Sequence, residues 1–182
     1  GQCRGKEVVH IHAQDKVGTA KAGKMDMEEY NELISKSWGI CGACTSMTTA
    51  NSMCMIAEAL GMTMPGNSSV SAVSSQLYLM AYQAGIQIVS LVAKDIRARD
   101  IITVESLKNA IRMDMAVAAS SNLILHIPAI ANEAGYDLPW WKYFDEASSQ
   151  VPLLSHLAPS GPYSLKDFDL AGGMPAMLKE LM

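Results

Sequence analysis

From residue 26 onward the sequence repeats one pattern: a polar residue suited to capping, an apolar period of three to four, and a glycine or turn-forming cluster. That pattern commits most of the chain to helix. Asp26 precedes the first such run and Glu29 stands three residues on, so a capping box is expected to open a helix ending near Trp38. Between Thr49 and Leu60, Met53, Ile56, Ala57 and Leu60 recur at helical spacing, and Gly61 is placed to stop the helix. The serines of "MPGNSSVSA" can cap a helix over roughly 72–95, and Thr103 with Glu105 starts one that reaches Ala118. Ser121 or Asn122 opens the next, which stops at Gly135 and is expected to bend or break at Pro128. "LPWWKYFDEASSQ" supplies another helix, and Ser164 and Pro175 start two short ones. Strand signals are scarce: "KEVVHIH" (6–12) and "VPLLSHL" (151–157) read as short buried strands. The expected fold is α/β, a predominantly helical segment over 1–182 with a few short parallel strands and no internal repeat or linker.

A chain of 182 residues can close one core that buries roughly 70% of its unfolded surface. Its formal net charge of -4 leaves no basic stripe, so nucleic acid is not an expected partner. No apolar run is read as approaching the about 20 residues that cross a bilayer, and no leader pattern stands at the start. A cytoplasmic chain with no membrane partner is the expectation. The four cysteines sit in a sequence too apolar to need disulfide staples, which favours free thiols or metal ligands. Thirteen methionines read as adaptable core filling. The chain begins at Gly1 and closes on "KELM" with no C-cap glycine, as a piece of something longer would.

The chemistry is concentrated in "GICGACTSMTTANSM" (39–53), where Cys41 and Cys44 lie just ahead of a helix. A zinc site needs about four Cys or His ligands, commonly in two close pairs, and there is one such pair here. A thioredoxin-like redox pair expects a strand before the C-x-x-C, whereas a helix precedes it here. The third reading is an iron–sulfur ligand held at a helix start, where unpaired N–H groups face cluster sulfur. Bare C-x-x-C leaves all three open beside a purely structural role. Cys54 reads as a small residue of an apolar helix, and Cys3 as incidental.

The surrounding sequence narrows the choice. "CGACTSMTTANSM" followed by "AEALGMTMPG" resembles a segment of the dihydroxy-acid dehydratase and 6-phosphogluconate dehydratase family, which includes the sugar-acid dehydratases. "GKEV", "AGKMDMEEYNEL", "AYQAGIQIVSLV", "NAIRMDMAVAASSNLILHIPAIANEAG" and "LAPSGPYSLKDFDLAGGMPAMLKEL" resemble further blocks of that family in the same order. The resemblance implies a hydro-lyase that takes a small 2,3-dihydroxy acid or sugar acid to a 2-keto acid, as in branched-chain amino acid biosynthesis or sugar acid metabolism. It implies an iron–sulfur cluster of the 2Fe–2S type as Lewis acid, a magnesium ion, and a homo-oligomer. By motif match Cys44 takes the place of the last cluster cysteine, with Cys41 a weaker candidate, and Thr48 and Asn51 would line the cluster pocket. The family's Cys-Asp-Lys motif does not occur; Asp15-Lys16 follows Gln14. The chain is therefore expected to be the later half of the family's N-terminal domain, without the β-rich C-terminal domain, and inactive by itself. No catalytic residue is assigned. The alternative reading is a binding or assembly module derived from that family, with Trp140 and Trp141 as its contact surface.

The remaining polar candidates have plain structural readings. Thr48, Thr49 and Asn51 can cap the helix they begin, and so can Ser120, Ser121 and Asn122. His126 falls among Leu123, Ile127 and Ile130 as a core histidine. His10 and His12 alternate on one face of the expected first strand, where a metal pair is a lesser possibility.

Overall fold

A computed structural model describes residues 1–38 and 41–181; Gly39 and Ile40, from the sequence expected as the thiol loop, and Met182, from the run expected as the closing helix, lie outside the described residues. Among the described residues two short strands, β1 (Gln2–Cys3) and β2 (Lys6–Glu7), are followed by ten helices. These are α1 (His10–Lys21), α2 (Met27–Ser37), α3 (Thr49–Ala59), α4 (Ser75–Ala93) and α5 (Ala98–Ile101). Then come α6 (Val104–Val117), α7 (Leu123–Glu133), α8 (Trp140–Gln150), α9 (Leu165–Leu170) and α10 (Gly173–Glu180).

Predominant helix is as the sequence implied; the parallel strands are not. β1 and β2 pair antiparallel, with Gln2 opposite Glu7 and Cys3 opposite Lys6. Of the run expected as a strand over 6–12, only Lys6 and Glu7 pair as strand, and His10 already begins a helix. The β-branched pair Val8–Val9 is followed by Ala13, Gln14 and Lys16, which favour helix, and the Val9 N–H donates to His12 Nδ1 at 3.1 Å. His10 and His12 are therefore not a pair on one strand face: His10 is buried against Trp38, ring centroids 5.1 Å apart, while His12 is occupied at the helix start. Residues 151–157 are not a strand either. The N–H groups of Leu154 and Ser155 both donate to Ala116 O at the end of α6, and a single isolated parallel bridge joins Leu157 to Tyr163. No neighbouring strand is present among the described residues for this segment to extend.

Helix signals fared better. Thr103 Oγ1 accepts from Ser106 N at 3.1 Å, Ser74 Oγ accepts from Gln76 N at 3.2 Å, and Ser164 with Asp167 forms a reciprocal box. Gly61 and Gly135 stand just past α3 and α7 with φ of +77° and +94°, the left-handed conformation that ends a helix. Asp26 occupies the N-cap of α2 but makes no side-chain cap bond; Glu29 instead pairs with Arg4 at 3.1 Å, and Glu32 takes the same guanidinium at 3.0 Å. The box expected there is replaced by an ion pair that ties the hairpin to α2. α7 runs through Pro128 without a break; its first turn closes by tighter i to i−3 bonds such as Leu125 N to Asn122 O.

The core is built where α3, α6, α7, α8 and α10 meet, around Met55, Ile56, Leu107, Ile111, Leu123 and Ile127, each 1% exposed or less. Met47, Met55, Met113, Met174 and Met177 fill this core as expected, whereas Met27 and Met62 are exposed, so core filling accounts for only some of the methionines. Trp140 joins this core while Trp141 stands 69% exposed, so the aromatic pair splits between packing and surface. His126 is half-buried at its edge rather than a core residue. α4 departs from the expectation that no apolar run is long enough for a bilayer: its 19 residues carry no charged side chain and pass that test by length and composition.

Candidate functional site

The thiol loop follows α2 and ends at the first turn of α3. Two long-range backbone bonds hold it: Met47 N donates to Ala158 O at 2.6 Å, and Leu165 N donates to Thr45 O at 2.8 Å. The loop is thereby stitched to the segment before α9 and to the first residue of α9 itself. Gly42 turns with φ of +90°, and a Cβ there would lie 2.7 Å from the Ala72 Cβ. Only glycine combines that conformation with that approach.

Cys41, Cys44 and Cys54 all line one cleft of 480 Å³, whose other wall comes from Ser68, Ser69, Lys166 and Asp169. All three are free thiols; Cys41 and Cys54 are exposed and Cys44 is half-buried. Cys54 is thus not the core residue its apolar neighbours suggested: it sits on the cleft side of α3. Cys3 is a buried residue of strand β1 and does not line the cleft.

The groups around Cys44 are arranged to hold its loop. Thr48 is the N-cap residue of α3 but makes no side-chain cap bond; its Oγ1 lies 3.4 Å from Cys44 Sγ. Asn51, 2% exposed, turns its amide back to donate to the carbonyls of Cys44 and Ser46, the latter at 2.6 Å. The two residues read as possible caps therefore serve the thiol loop. Thr49 is shared with the next block: its Oγ1 accepts from Asn122 Nδ2 at 2.8 Å and lies 3.0 Å from Ser120 Oγ. Ser120 N donates to Ser52 Oγ at 3.0 Å, so the "SSN" turn packs against the first turn of α3.

Two acidic residues escaped the sequence reading. Glu58, 7% exposed on α3, accepts from Gly66 N, from Ser68 N at 3.1 Å and from Ser68 Oγ at 2.6 Å. It latches the loop that forms the far wall of the cleft. Asp169 accepts from Ser69 Oγ at 2.7 Å across 100 residues of sequence. That Glu58 is the one charged residue of α3 was the available signal for it; for Asp169 there was none.

Among the described residues no three His, Cys, Asp or Glu side chains converge as a metal ion requires. The donors present fit one corner of an iron–sulfur cluster and fall short of holding one. Fold and cleft together define a helical domain that presents a thiol, Cys44, just ahead of a helix to an open pocket.

Comparison with known proteins assigns that domain. A family model described as dihydroxy-acid/6-phosphogluconate dehydratase N-terminal matches residues 1–182. The dihydroxy-acid dehydratase of Maridesulfovibrio salexigens is 43% identical over 181 residues, covering 100% of this chain and 32% of that protein. That of Acetivibrio thermocellus is 47% identical over 165 residues, 91% of this chain and 30% of its own length. That of Syntrophobacter fumaroxidans is 43% identical over 182 residues, 100% of this chain and 32% of its own. The chain belongs to the dihydroxy-acid/6-phosphogluconate dehydratase family and corresponds to its N-terminal region. It spans about a third of the length of the curated relatives it matches.

Proposed function

We propose that this chain is part of a cytoplasmic hydro-lyase that removes water from a 2,3-dihydroxy acid to give a 2-keto acid. The observation that supports it most is the family match over the whole chain, together with a thiol, Cys44, presented to an open cleft. The relatives' shared name favours a dihydroxy acid over a sugar acid as substrate.

In this reading Cys44 is one thiolate ligand of the iron–sulfur cluster, and Cys41 is an accessory thiol at the cleft mouth. Thr48 and Asn51 hold the ligand rather than bind the cluster themselves: Thr48 through its hydroxyl near Cys44 Sγ, Asn51 through the loop carbonyls. The other cluster ligands and the magnesium site are not supplied by these residues. No reaction step is assigned to them, and the 182-residue chain alone is inactive. It is the later half of the N-terminal domain of a larger homo-oligomeric enzyme.

The test is a keto-acid assay under anaerobic conditions, with a 2,3-dihydroxy acid as substrate. The isolated chain, reconstituted with iron and sulfide, is expected to give no product; turnover by it would overturn the assignment of an incomplete site.

A further inference from the structure

Among the described residues three buried polar atoms have no hydrogen-bond partner: His10 Nδ1, Ser46 Oγ and Ser155 Oγ. Two belong to hydroxyls, whose hydrogen turns to suit its surroundings, but an imidazole nitrogen points where its ring is held. His10 is held closely. It opens α1, is 8% exposed, and its ring lies tilted against that of Trp38 with centroids 5.1 Å apart. An unsatisfied nitrogen in such a place costs more than an ordinary hydrogen bond returns, so it calls for a partner.

The space beside His10 supplies one. A cavity of about 20 Å³ has walls that include His10, Ser37 and Trp38, from the start of α1 and the end of α2, and residues 42–45 of the thiol loop. Ala43, Cys44 and Thr45 also line the 480 Å³ cleft, so the loop is the partition between cavity and cleft, and Cys44 stands in it. Cys41 and Cys54 border the cleft alone.

Size decides what the cavity holds. A water needs at least about 10–15 Å³ of such space and two to four polar partners. The cavity therefore takes one water and no organic ligand. A structural zinc ion would want about four ligands, and the walls offer two side chains of ligating type, His10 and Cys44. His10 Nδ1 is one partner for the water, and the loop backbone offers others. Among the described residues the N–H groups of Ala43, Cys44 and Thr45 donate to no protein acceptor, whereas the Ser37 hydroxyl is already committed to Ile34 O at 3.0 Å. A water both donates and accepts, so it serves His10 in either neutral tautomer.

We propose that one ordered water in this cavity joins His10 Nδ1 to the backbone of the thiol loop, and that His10 is thereby a positioning residue for Cys44. The loop is then held from both faces. Asn51 donates to the carbonyls of Cys44 and Ser46 from the α3 side, and His10 reaches the loop N–H groups from the α1 side. The bearing of this on dehydration rests on the reading of Cys44 as a cluster thiolate; the anchoring itself does not.

The test is the alkylation rate of each thiol in the natural polypeptide that carries this segment, freed of metal and read residue by residue by mass spectrometry. His10→Leu is expected to speed Cys44 by roughly three- to tenfold, the change in loop opening that one net hydrogen bond controls. Cys41 and Cys54 are expected to keep their rates. His10→Asn, whose amide oxygen can stand where Nδ1 stood, is expected to bring Cys44 back within twofold of the parent. An unchanged Cys44 in His10→Leu, an equal rise at all three thiols, or no rescue by His10→Asn would overturn the proposal. A crystal structure of that polypeptide is expected to show one water within about 3.2 Å of both His10 Nδ1 and a loop N–H. A side chain in that space, or His10 Nδ1 bonded directly to protein, would overturn it too. Should Cys44→Ser leave the iron content whole, the dehydratase reading fails while the alkylation rates still decide this one.

Discussion

Asn51, three residues into α3, donates its side-chain amide back to the carbonyl of Ser46 at 2.6 Å and to that of Cys44 as well. An asparagine at a helix start ordinarily satisfies the helix; this one satisfies the loop before it. The consequence is that the thiol loop is tied to α3, and the position of Cys44 is held by a side chain that makes no bond to its sulfur.

Asn51→Ala should therefore destabilise the domain by about 1–3 kcal/mol, because two loop carbonyls lose their donor in a site that is 2% exposed. Asn51→Asp should cost more, since it faces carbonyl oxygens with carboxylate oxygens. Urea denaturation of the three proteins measures both effects, and Cys44 should become faster to alkylate in each variant.

Asp114 makes stability depend on pH in the unusual direction. It lies 5% exposed on α6, and burial pushes its carboxyl up to about 7. Because the folded state holds the proton more tightly than the unfolded chain, this residue contributes most below the unfolded carboxyl value near 4. That contribution is lost progressively as pH rises through about 7. Asp114→Asn, which mimics the protonated form, should flatten that slope and stabilise the protein at pH 8 relative to the parent. Denaturation midpoints from pH 4 to pH 8 show it.

Glu58 is expected to be costly to remove. Its carboxylate accepts from Gly66 N, Ser68 N and Ser68 Oγ, and hydrogen bonds to a charged group are worth about 1.5–3 kcal/mol each. Glu58→Ala should release the loop wall of the cleft, seen as faster amide exchange at Gly66 and Ser68 before any global unfolding.

Two glycines should respond to alanine with opposite sign. Gly42 has φ of +90° and meets the Ala72 Cβ, so Gly42→Ala should destabilise by about 1–3 kcal/mol. Gly85 sits within α4 with open space around it, so Gly85→Ala should stabilise the helix by about 0.5–1 kcal/mol. Thermal unfolding of the pair separates the two effects.

The helices were legible because their signals are local. Thr103, Ser164 and Gly61 act within a few residues of themselves, and the structure places each where the spacing put it. The strands failed for the same reason in reverse, since a run such as 151–157 is extended only if a partner strand lies beside it, and α6 offers a single carbonyl instead. The thiol loop was legible in composition, but which way Asn51 and Thr48 point depends on the tie between Met47 and Ala158, more than a hundred residues apart. Asp169 closes the cleft across a comparable separation, and no local pattern announces a contact with Ser69.

The central claim is that Cys44 serves a dehydratase. The most direct measurement is the dehydration rate of the natural polypeptide that carries this segment, assayed anaerobically on a 2,3-dihydroxy acid beside its Cys44→Ser variant, with iron and acid-labile sulfide counted in both. Loss of turnover together with loss of iron and sulfide, while Cys54→Ser keeps both, is the expected result. Full cluster content and unchanged turnover in Cys44→Ser would contradict the account.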